Sequence, residues 1–181
     1  MVSDIVAKAN VAKGTFYYYF KSKEAVLDAI TDKYIILTVE GMEKIAHHEG
    51  LTALEKLVHI FLFSSSFRSN RKSIMQFLHE EKNAHLHLKF EKKIPLGTIG
   101  PISRIIKQGV DEGSFDTTYP EDAAKAFFGV TAMVLQGIDN ADQTSKDFHR
   151  ELMATFDFLE RLLGAETGSL VDTFRRKGGM I

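Results

Sequence analysis

The chain contains no cysteine, which excludes disulfide staples, thiolate metal centres and cysteine nucleophiles together. Proline is scarce: Pro95, Pro101 and Pro120 are the only three in 181 residues. With no strand pattern, repeat or low-complexity run between them, helices are free to dominate. The longest apolar stretch, around Ala126 to Leu135, is about half of what a helix needs to span a bilayer, and no secretory signal opens the chain. We therefore expect a cytoplasmic protein with no membrane partner. Catalytic signatures are missing as well: there is no GxSxG, no GxxxxGK phosphate loop, no GxGxxG and no HExxH. The expectation is a protein that is not an enzyme and needs no cofactor. An excess of charge of either sign is also lacking, since 23 basic and 24 acidic residues leave a net −1, and 44% of the residues are hydrophobic. That is enough to build one sizeable core with a small head attached.

What is present begins near the N-terminus, in the stretch Ile5 to Lys23, IVAKANVAKGTFYYYFKSK. Val2, Ile5, Val6 and Ala9 form an apolar stripe, with Ser3 as a candidate cap and Asp4 in the first turn, where the helix dipole favours an anion. Asn10 tolerates the left-handed conformation that ends helices, and Val11 is placed to tuck into the angle beyond it. A second helix is expected over about Lys13 to Phe20. A helix, a turn of three to four residues and a second helix is the spacing that presents the second helix to the major groove of DNA. Between Ile5 and Lys23 the charged residues are Lys8, Lys13, Lys21 and Lys23, all positive. Over residues 1 to 46, six lysines are balanced by six acids, so the positive field is a local patch. Phe16 and Phe20 share one helical face, assigned to the core, whereas Tyr17 and Tyr18 point elsewhere with hydroxyls free for phosphates or base edges. An aromatic run can equally be core or partner interface; the flanking lysines and the turn favour the nucleic-acid reading.

The segment VAKGTFYYYFKSKEAVLDAI resembles the end of the helix-turn-helix of the tetracycline-repressor-type (TetR-like) family. Val11, Lys13, Gly14, Thr15, Tyr17, Tyr18, Phe20 and Lys23 match that family's pattern outright, and Phe16 and Tyr19 are mild replacements. The resemblance implies that Lys13, Gly14, Thr15, Tyr17, Tyr18 and Lys23 form the DNA-binding set. Lys13, Thr15 and Tyr18 would face bases and nearby phosphates, and Tyr17 and Lys23 would hold the backbone. Ser22 can cap the next helix, whose amides, with Lys23 beside them, make an anion site. Three positions depart from the pattern: Asn10 stands for Gly, Ala12 for Ser or Thr, and Val6 for Ala. The family's first helix, of some twenty residues, has no counterpart before Met1. Its absence would leave Val2, Ile5, Phe16, Phe20 and Leu27 partly uncovered, at a cost of about 1.5 to 3 kcal/mol each. A sequence shorter than the natural gene product, or a loosely held head, is expected on that ground.

Beyond the head, one long helix is expected from Lys23 to about His47, connecting head to body. Thr52 with Glu55 forms a capping box for a helix to about Arg68. Another is expected over Lys72 to Lys93, closed by Pro95. The next carries Ile102, Ile105, Ile106 and Val110 and ends at Gly113. Pro120 opens a helix to about Gly137, and the last long one, capped by Thr144 or Ser145, reaches Leu163. The expected division is a helix-turn-helix head with connecting helix over residues 1–46, a helical regulatory and dimerisation domain over 47–165, and a mobile tail over 166–181. The fold class is all-α.

The two helices before the tail carry apolar residues on more than one face, and a surface helix needs only one stripe. Such a helix can be central in a monomer or can seek a partner. The resemblance implies a homodimer through these helices, with Phe127, Val130, Val134, Leu152, Phe156, Leu159 and Leu163 at the interface. It also implies a cavity for a small apolar or amphipathic effector, with Phe61, Phe67, Met75, Phe77, Leu78, Phe128 and Met133 as lining candidates and His79 and Gln136 as polar features. The same stripe reads equally well as plain core. His79, Glu80, Glu81, His85 and His87 cluster, but His85 and His87, two apart on a helix, point to different faces, so no metal site is expected. The function expected is a ligand-responsive transcription regulator, a repressor that binds a palindromic double-stranded DNA operator as a homodimer. The alternative is a small-molecule-binding or scaffolding helical dimer that has lost DNA binding with its first helix.

Overall fold

A computed structural model describes residues 1–69, 80, 83–138 and 146–177. Helices are the regular elements of the described residues, with no strand among them. They form two compact units, Met1–Leu37 and Thr38–Ile181.

The first unit holds α1 (Val2–Ala9), α2 (Lys13–Tyr19) and the start of α3 (Lys23–Ala46). Asn10 ends α1 in the left-handed conformation expected of it, at φ 52° and ψ 46°. Its amide donates to the Ala7 carbonyl, and the Val11 amide donates to that of Val6, so two carbonyls left over at the helix end are satisfied. Val11, expected to fill the angle between α1 and α2, is instead 42% exposed; it holds the turn through its backbone. Ala12 is extended and offers no side-chain cap to α2, as its lack of a hydroxyl requires. Phe20, also extended, closes α2, and Ser22 opens α3 by accepting the Ala25 amide at 3.2 Å.

The second unit is built from the rest of α3 with α4 (Ala53–Ser69), α5 (Ala84–Asp111), α6 (Pro120–Ile138), α7 (Lys146–Leu163) and α8 (Ser169–Arg176). α6 packs between α5 and α7, and α4 lies against α5, α6 and α8. Their shared core holds Leu57, Phe61, Ile105, Ile106, Phe127, Phe156, Leu159, Leu163 and Phe174. The capping box at α4 forms as its residues dictate, with the Thr52 amide donating to Glu55 and the Glu55 amide to the Thr52 hydroxyl.

Pro95 does not close a helix. α5 runs through both Pro95 and Pro101 to Asp111. Each internal proline costs roughly 3 kcal/mol through a lost hydrogen bond and a ring clash. The stripe of Leu86, Ile94, Ile102, Ile105 and Ile106 is buried along the same helix, and five such side chains contribute about 7 to 15 kcal/mol. Burial prevails. The part of the expected Lys72–Lys93 helix before residue 83 lies outside the described residues, apart from residue 80.

Where a mobile tail was expected over 166–181, the described residues form α8 from Ser169 to Arg176. Leu170, Thr173 and Phe174 recur at the 3–4 spacing of one helical face and are all buried, so this segment belongs to the core. Glu160, itself 3% exposed, accepts the Gly168 and Leu170 amides at 2.7 and 2.8 Å and so starts the helix.

Three helix ends meet around Lys56, which is only 5% exposed. Its ammonium donates to the last carbonyl of α3, Ala46, at 2.9 Å and to Gln108 Oε1 near the end of α5 at 2.7 Å. Gln108 Nε2 in turn donates to the Leu51 carbonyl and to Glu112, whose other oxygen accepts the Ala53 amide at the start of α4. Next to this knot the Lys177 ammonium lies 2.7 Å from Glu55 and, with the Thr52 amide, holds the Glu55 carboxyl below the usual carboxylate range.

α5 leaves this knot through a tight corner. Gly113, at φ 73°, lets the Ser114 and Phe115 amides turn back onto the Gly109 carbonyl. Phe115 is then laid over Gly109 so closely that a Cβ there would sit 2.0 Å from its ring. Gly109→Ala is therefore expected to destabilise the protein by about 1 to 3 kcal/mol through overpacking. Gly100, with nothing within 4 Å of a built Cβ, is the control on the same helix: Gly100→Ala should stabilise by roughly 0.5 to 1 kcal/mol. Thermal denaturation of the two variants beside the wild type measures both signs.

Candidate nucleic-acid interface

In the head, α2 buries one residue, Phe16, and turns the rest outward. Phe16 packs edge-on to Tyr17, with centroids 5.3 Å apart, and meets Phe20 at 5.9 Å. These contacts anchor the inner face, with Phe20 half-buried. On the outer face Lys13, Gly14, Thr15, Tyr17 and Tyr18 are all exposed, Tyr18 at 77%. Tyr19, a position the sequence reading passed over as a mild replacement, is equally open at 70% and stands edge-on to Tyr18, centroids 5.0 Å apart. Neighbours on a helix rarely face each other, yet both Phe16–Tyr17 and Tyr18–Tyr19 meet edge-on along α2. The signal available in the sequence was the unbroken Tyr17-Tyr18-Tyr19 run at a helix end.

The electrostatics of this face are one-sided. Lys8, Lys13, Lys21 and Lys23 are exposed, and no acid lies between residues 5 and 23. The N-terminus of α3 carries the partial positive charge of its amides, and Lys23 adds a full one. A carboxylate already uses that position. The Glu24 carboxyl lies below its ordinary range, first through its own backbone amide, then through the Ser22 hydroxyl and the charge of Lys23. The α3 N-terminus thus favours an anion as its sequence implies, and a phosphate arriving there has Glu24 as a competitor.

Of the residues assigned to an effector cavity, Phe61, Phe128 and Met133 are those with described side chains, and they differ in exposure. Phe61 is buried in a three-ring cluster with Phe156 and Phe174. Phe128 is half-buried, and Met133 is 70% exposed. The Phe67 and Gln136 side chains and residues Met75, Phe77, Leu78 and His79 lie outside what the structure describes. The space among Leu57, Val58, Phe61, Phe127, Phe156, Leu159 and Leu170 leaves no room for a water molecule. Among the described residues, no group of three or more His, Asp or Glu could hold a metal, and His87 lies beside Glu91 at 3.7 Å.

The dimer assignment needs correction. Phe127, Leu152, Phe156, Leu159 and Leu163 are each 2% exposed or less and belong to the chain's own core, so they have no surface to offer a second chain. Val130 and Val134 are half-buried at its margin. The small and apolar residues left open lie elsewhere, among charged neighbours: Ala126, Gly129 and Met133 on α6, and Ala154 and Phe158, the last 62% exposed, on α7. On α6 the buried residues span two adjacent faces, Ala123 and Phe127 on one and Ala124, Thr131 and Leu135 on the other, so it is a third face that stays open.

Taken by its geometry, the head is a helix-turn-helix, attached to an all-helical body. Residues 1–30 match the family model for bacterial regulatory proteins of the tetR family. Over 46 residues the chain is 44% identical to the uncharacterized HTH-type transcriptional regulator YvdT of Bacillus subtilis (strain 168), a match that takes in 25% of this chain and 24% of that one. It therefore spans about a quarter of the length of that curated relative. Two crystal structures share the fold at 19% identity. One is a transcriptional regulator of the TetR/AcrR family from Thermobifida fusca YX-ER1, with a TM-score of 0.59 over 93% of this chain and 84% of that one. The other is a bacterial regulatory protein in the tetR family from Rhodococcus RHA1, with a TM-score of 0.56 over 91% and 86%. The chain is TetR-like, in its helix-turn-helix and in its fold. No described helix is long and apolar enough to cross a membrane.

Gly14 is a position where a demand of the fold can be told apart from a demand of binding. It is exposed, near the start of α2, and a Cβ built on it meets nothing within 4 Å. The fold gives no reason for a glycine there, whereas close approach of another molecule's backbone does. Gly14→Ala is expected to leave the melting temperature unchanged or raised, by up to about 1 kcal/mol of stability, while lowering affinity for duplex DNA. A variant that melts later and still binds DNA at full strength would remove Gly14 from the interface.

Proposed function

We propose that this chain is a ligand-responsive transcription repressor acting in the cytoplasm, which binds a roughly palindromic operator as a homodimer. The observation that supports it is the outer face of α2, where Lys13, Thr15, Tyr17 and Tyr18 are exposed together beside the N-terminus of α3 with no acid among them. Cationic and hydroxyl groups at that spacing suit phosphate oxygens and base edges, and a helix of this length fits a major groove. Lys13, Thr15 and Tyr18 take the base-facing role in this reading, and Tyr17 and Lys23 grip the backbone. Each protomer reads one half-site, and dimer symmetry gives the operator its palindrome.

The pairing surface in this proposal is the open stripe of Ala126, Gly129 and Met133 with Ala154 and Phe158. An exposed phenylalanine beside small residues allows close helix approach and gains burial only against a second molecule. A small apolar or amphipathic effector acts by binding two body conformations unequally. α3, one continuous helix that begins in the head and ends in the body, carries the difference to α2.

Selection from a random duplex library tests the reading directly, and one palindrome should emerge. Affinity should then fall steeply with salt as counterions are released, and Lys13→Ala should reduce the slope of log K against log salt by about 1. Selection of no sequence by a protein that still dimerises would favour the alternative, a ligand-binding or scaffolding helical dimer. One feature of the head leans that way, since α1 has no fully buried residue.

Sedimentation equilibrium tests the pairing surface. Phe158→Glu combined with Met133→Glu should convert a micromolar dimer to monomer, a shift of at least about tenfold in Kd for 1.4 kcal/mol or more, with helical content retained. Leu159→Ala, a core change, should lower the melting temperature by the equivalent of about 2 to 5 kcal/mol instead.

A further inference from the structure

The core of the body is closed, and part of the closure is α8. Leu170 and Phe174 lie four residues apart on one face of this two-turn helix and are 1% and 4% exposed, while Asp172, Arg175 and Arg176 look outward. The Phe174 ring sits 5.0 Å from that of Phe156 and 5.9 Å from that of Phe61, and those two rings are 5.5 Å apart. Beneath α8 these rings are joined by Leu57, Val58, Phe127 and Leu159, with Leu170 filling the remaining space. Without α8, the same side chains would be the floor of an apolar hollow.

Among the described residues, the polar attachments of α8 to the rest of the body lie at its two ends. At the start, Glu160 holds the Gly168 and Leu170 amides. At the end, the half-exposed Lys177–Glu55 pair closes at 2.7 Å. The link from α7 begins with Gly164 at φ 63° and ends with Gly168 at φ 86°. Gly164 is packed against the Asp116 backbone and its turn is held by the Ala165 amide on the Glu160 carbonyl, whereas nothing lies within 4 Å of a Cβ built on Gly168, so the link can bend at Gly168 while α7 stays in place. α8 is thus a wedge on a short arm hinged at Gly168, seated by the buried Leu170, Thr173 and Phe174 and latched by ion and hydrogen-bond pairs.

We propose that α8 is a displaceable plug over an apolar ligand site, and that an uncharged aromatic or branched hydrocarbon ligand takes the places of Phe174 and Leu170. The proposal rests on the ligand-responsive reading above and names where and what the ligand is. The chemistry of the floor sets the class: six apolar side chains offer no partner to a charge or a strong donor, which would be desolvated without compensation. Edge-on phenyl packing at Phe61 and Phe156 suits an aryl group in the position of the Phe174 ring. The plugged state is the competitor, so apparent affinity is reduced by the fraction of molecules in which α8 is out.

N-phenyl-1-naphthylamine, an uncharged aromatic fluorophore, is the probe. It is titrated into the wild type, into Phe174→Ala, and into a Glu55→Cys, Lys177→Cys double variant closed by a cleavable bismaleimide; the absence of any other cysteine makes that bridge unique. Phe174→Ala should bind the probe at least about tenfold tighter than the wild type, and the bridged protein at least about tenfold weaker, with recovery on cleaving the bridge. Equal binding by bridged and cleaved protein overturns the proposal, as does a folded Phe174→Ala protein that binds no tighter than wild type. If Phe174→Ala fails to fold by circular dichroism, the bridged and cleaved pair decides alone. Operator selection without the probe reports only on DNA recognition, so loss of one reading leaves the other standing.

Discussion

An ammonium with almost no contact with water ties the body together. Lys56 sits where α3 ends, α4 begins and α5 is about to end, and its charge meets the carbonyl of Ala46 and the amide oxygen of Gln108. Taking a charge out of water costs several kcal/mol unless hydrogen bonds replace its hydration. That demand fixes the geometry around it. The α3 end must present a carbonyl, Gln108 must turn its oxygen inward, and its nitrogen is then left to hold Leu51 and Glu112. Glu112 completes the knot by capping α4 through the Ala53 amide. The helix dipoles agree with this order, with a cation at the C-terminal end of α3 and a carboxylate at the N-terminal end of α4. Everything that leaves this knot is positioned by it, including the corner at Gly109 and Phe115 and the apolar stripe of α4 that meets α8.

The head and the body are stabilised over different ranges of sequence. In the head, Asn10, Ser22 and Phe20 close turns and caps with partners no more than five residues away. Its outer face owes its exposure to the same economy, because a helix that buries only Phe16 has six other residues to show. In the body the deciding contacts join distant residues: Ala53 to Glu112, Lys56 to Gln108, Asp116 to Leu163 and Glu55 to Lys177. An exposed outer face in the head and a closed core in the body are therefore built by separate physics within one chain, with α3 common to both.

Apolar patterning shows how many faces a helix wants covered and leaves open which neighbour covers each. α6 and α7 each display two stripes in the sequence. Phe127, Leu152, Phe156 and Leu159 were the candidates for an outward surface, and they turn out to be the inner ones because α4 and α8 come to meet them. Met133 and Phe158 are left outside for the same reason. The glycines and basic run after Leu163 gave the segment the look of a tail. Leu170 and Phe174 reverse that once Phe61 and Phe156 supply a surface to pack on. Pro95 likewise marks a helix end on local grounds and is carried inside α5 by a buried isoleucine stripe whose burial exceeds the local penalty.

The sequence by itself determined the all-helical class, the left-handed stop at Asn10, the Ser22 cap, the Thr52–Glu55 capping box, the start of α6 at Pro120 and the lysine-flanked outer face of α2. These depend on residue type, on interactions within a few positions, and on the period of a helix, all of which are written in order along the chain. Tertiary structure alone decided the ammonium knot at Lys56, the conversion of the last segment into α8, the continuity of α5 and the inward side of α6 and α7. Each requires groups far apart in sequence to arrive at one place, where burial and hydrogen bonding then exceed the local preference. The physical reason is the same throughout: a torsion or a cap is decided by its neighbours, whereas a face is decided by whatever packs against it.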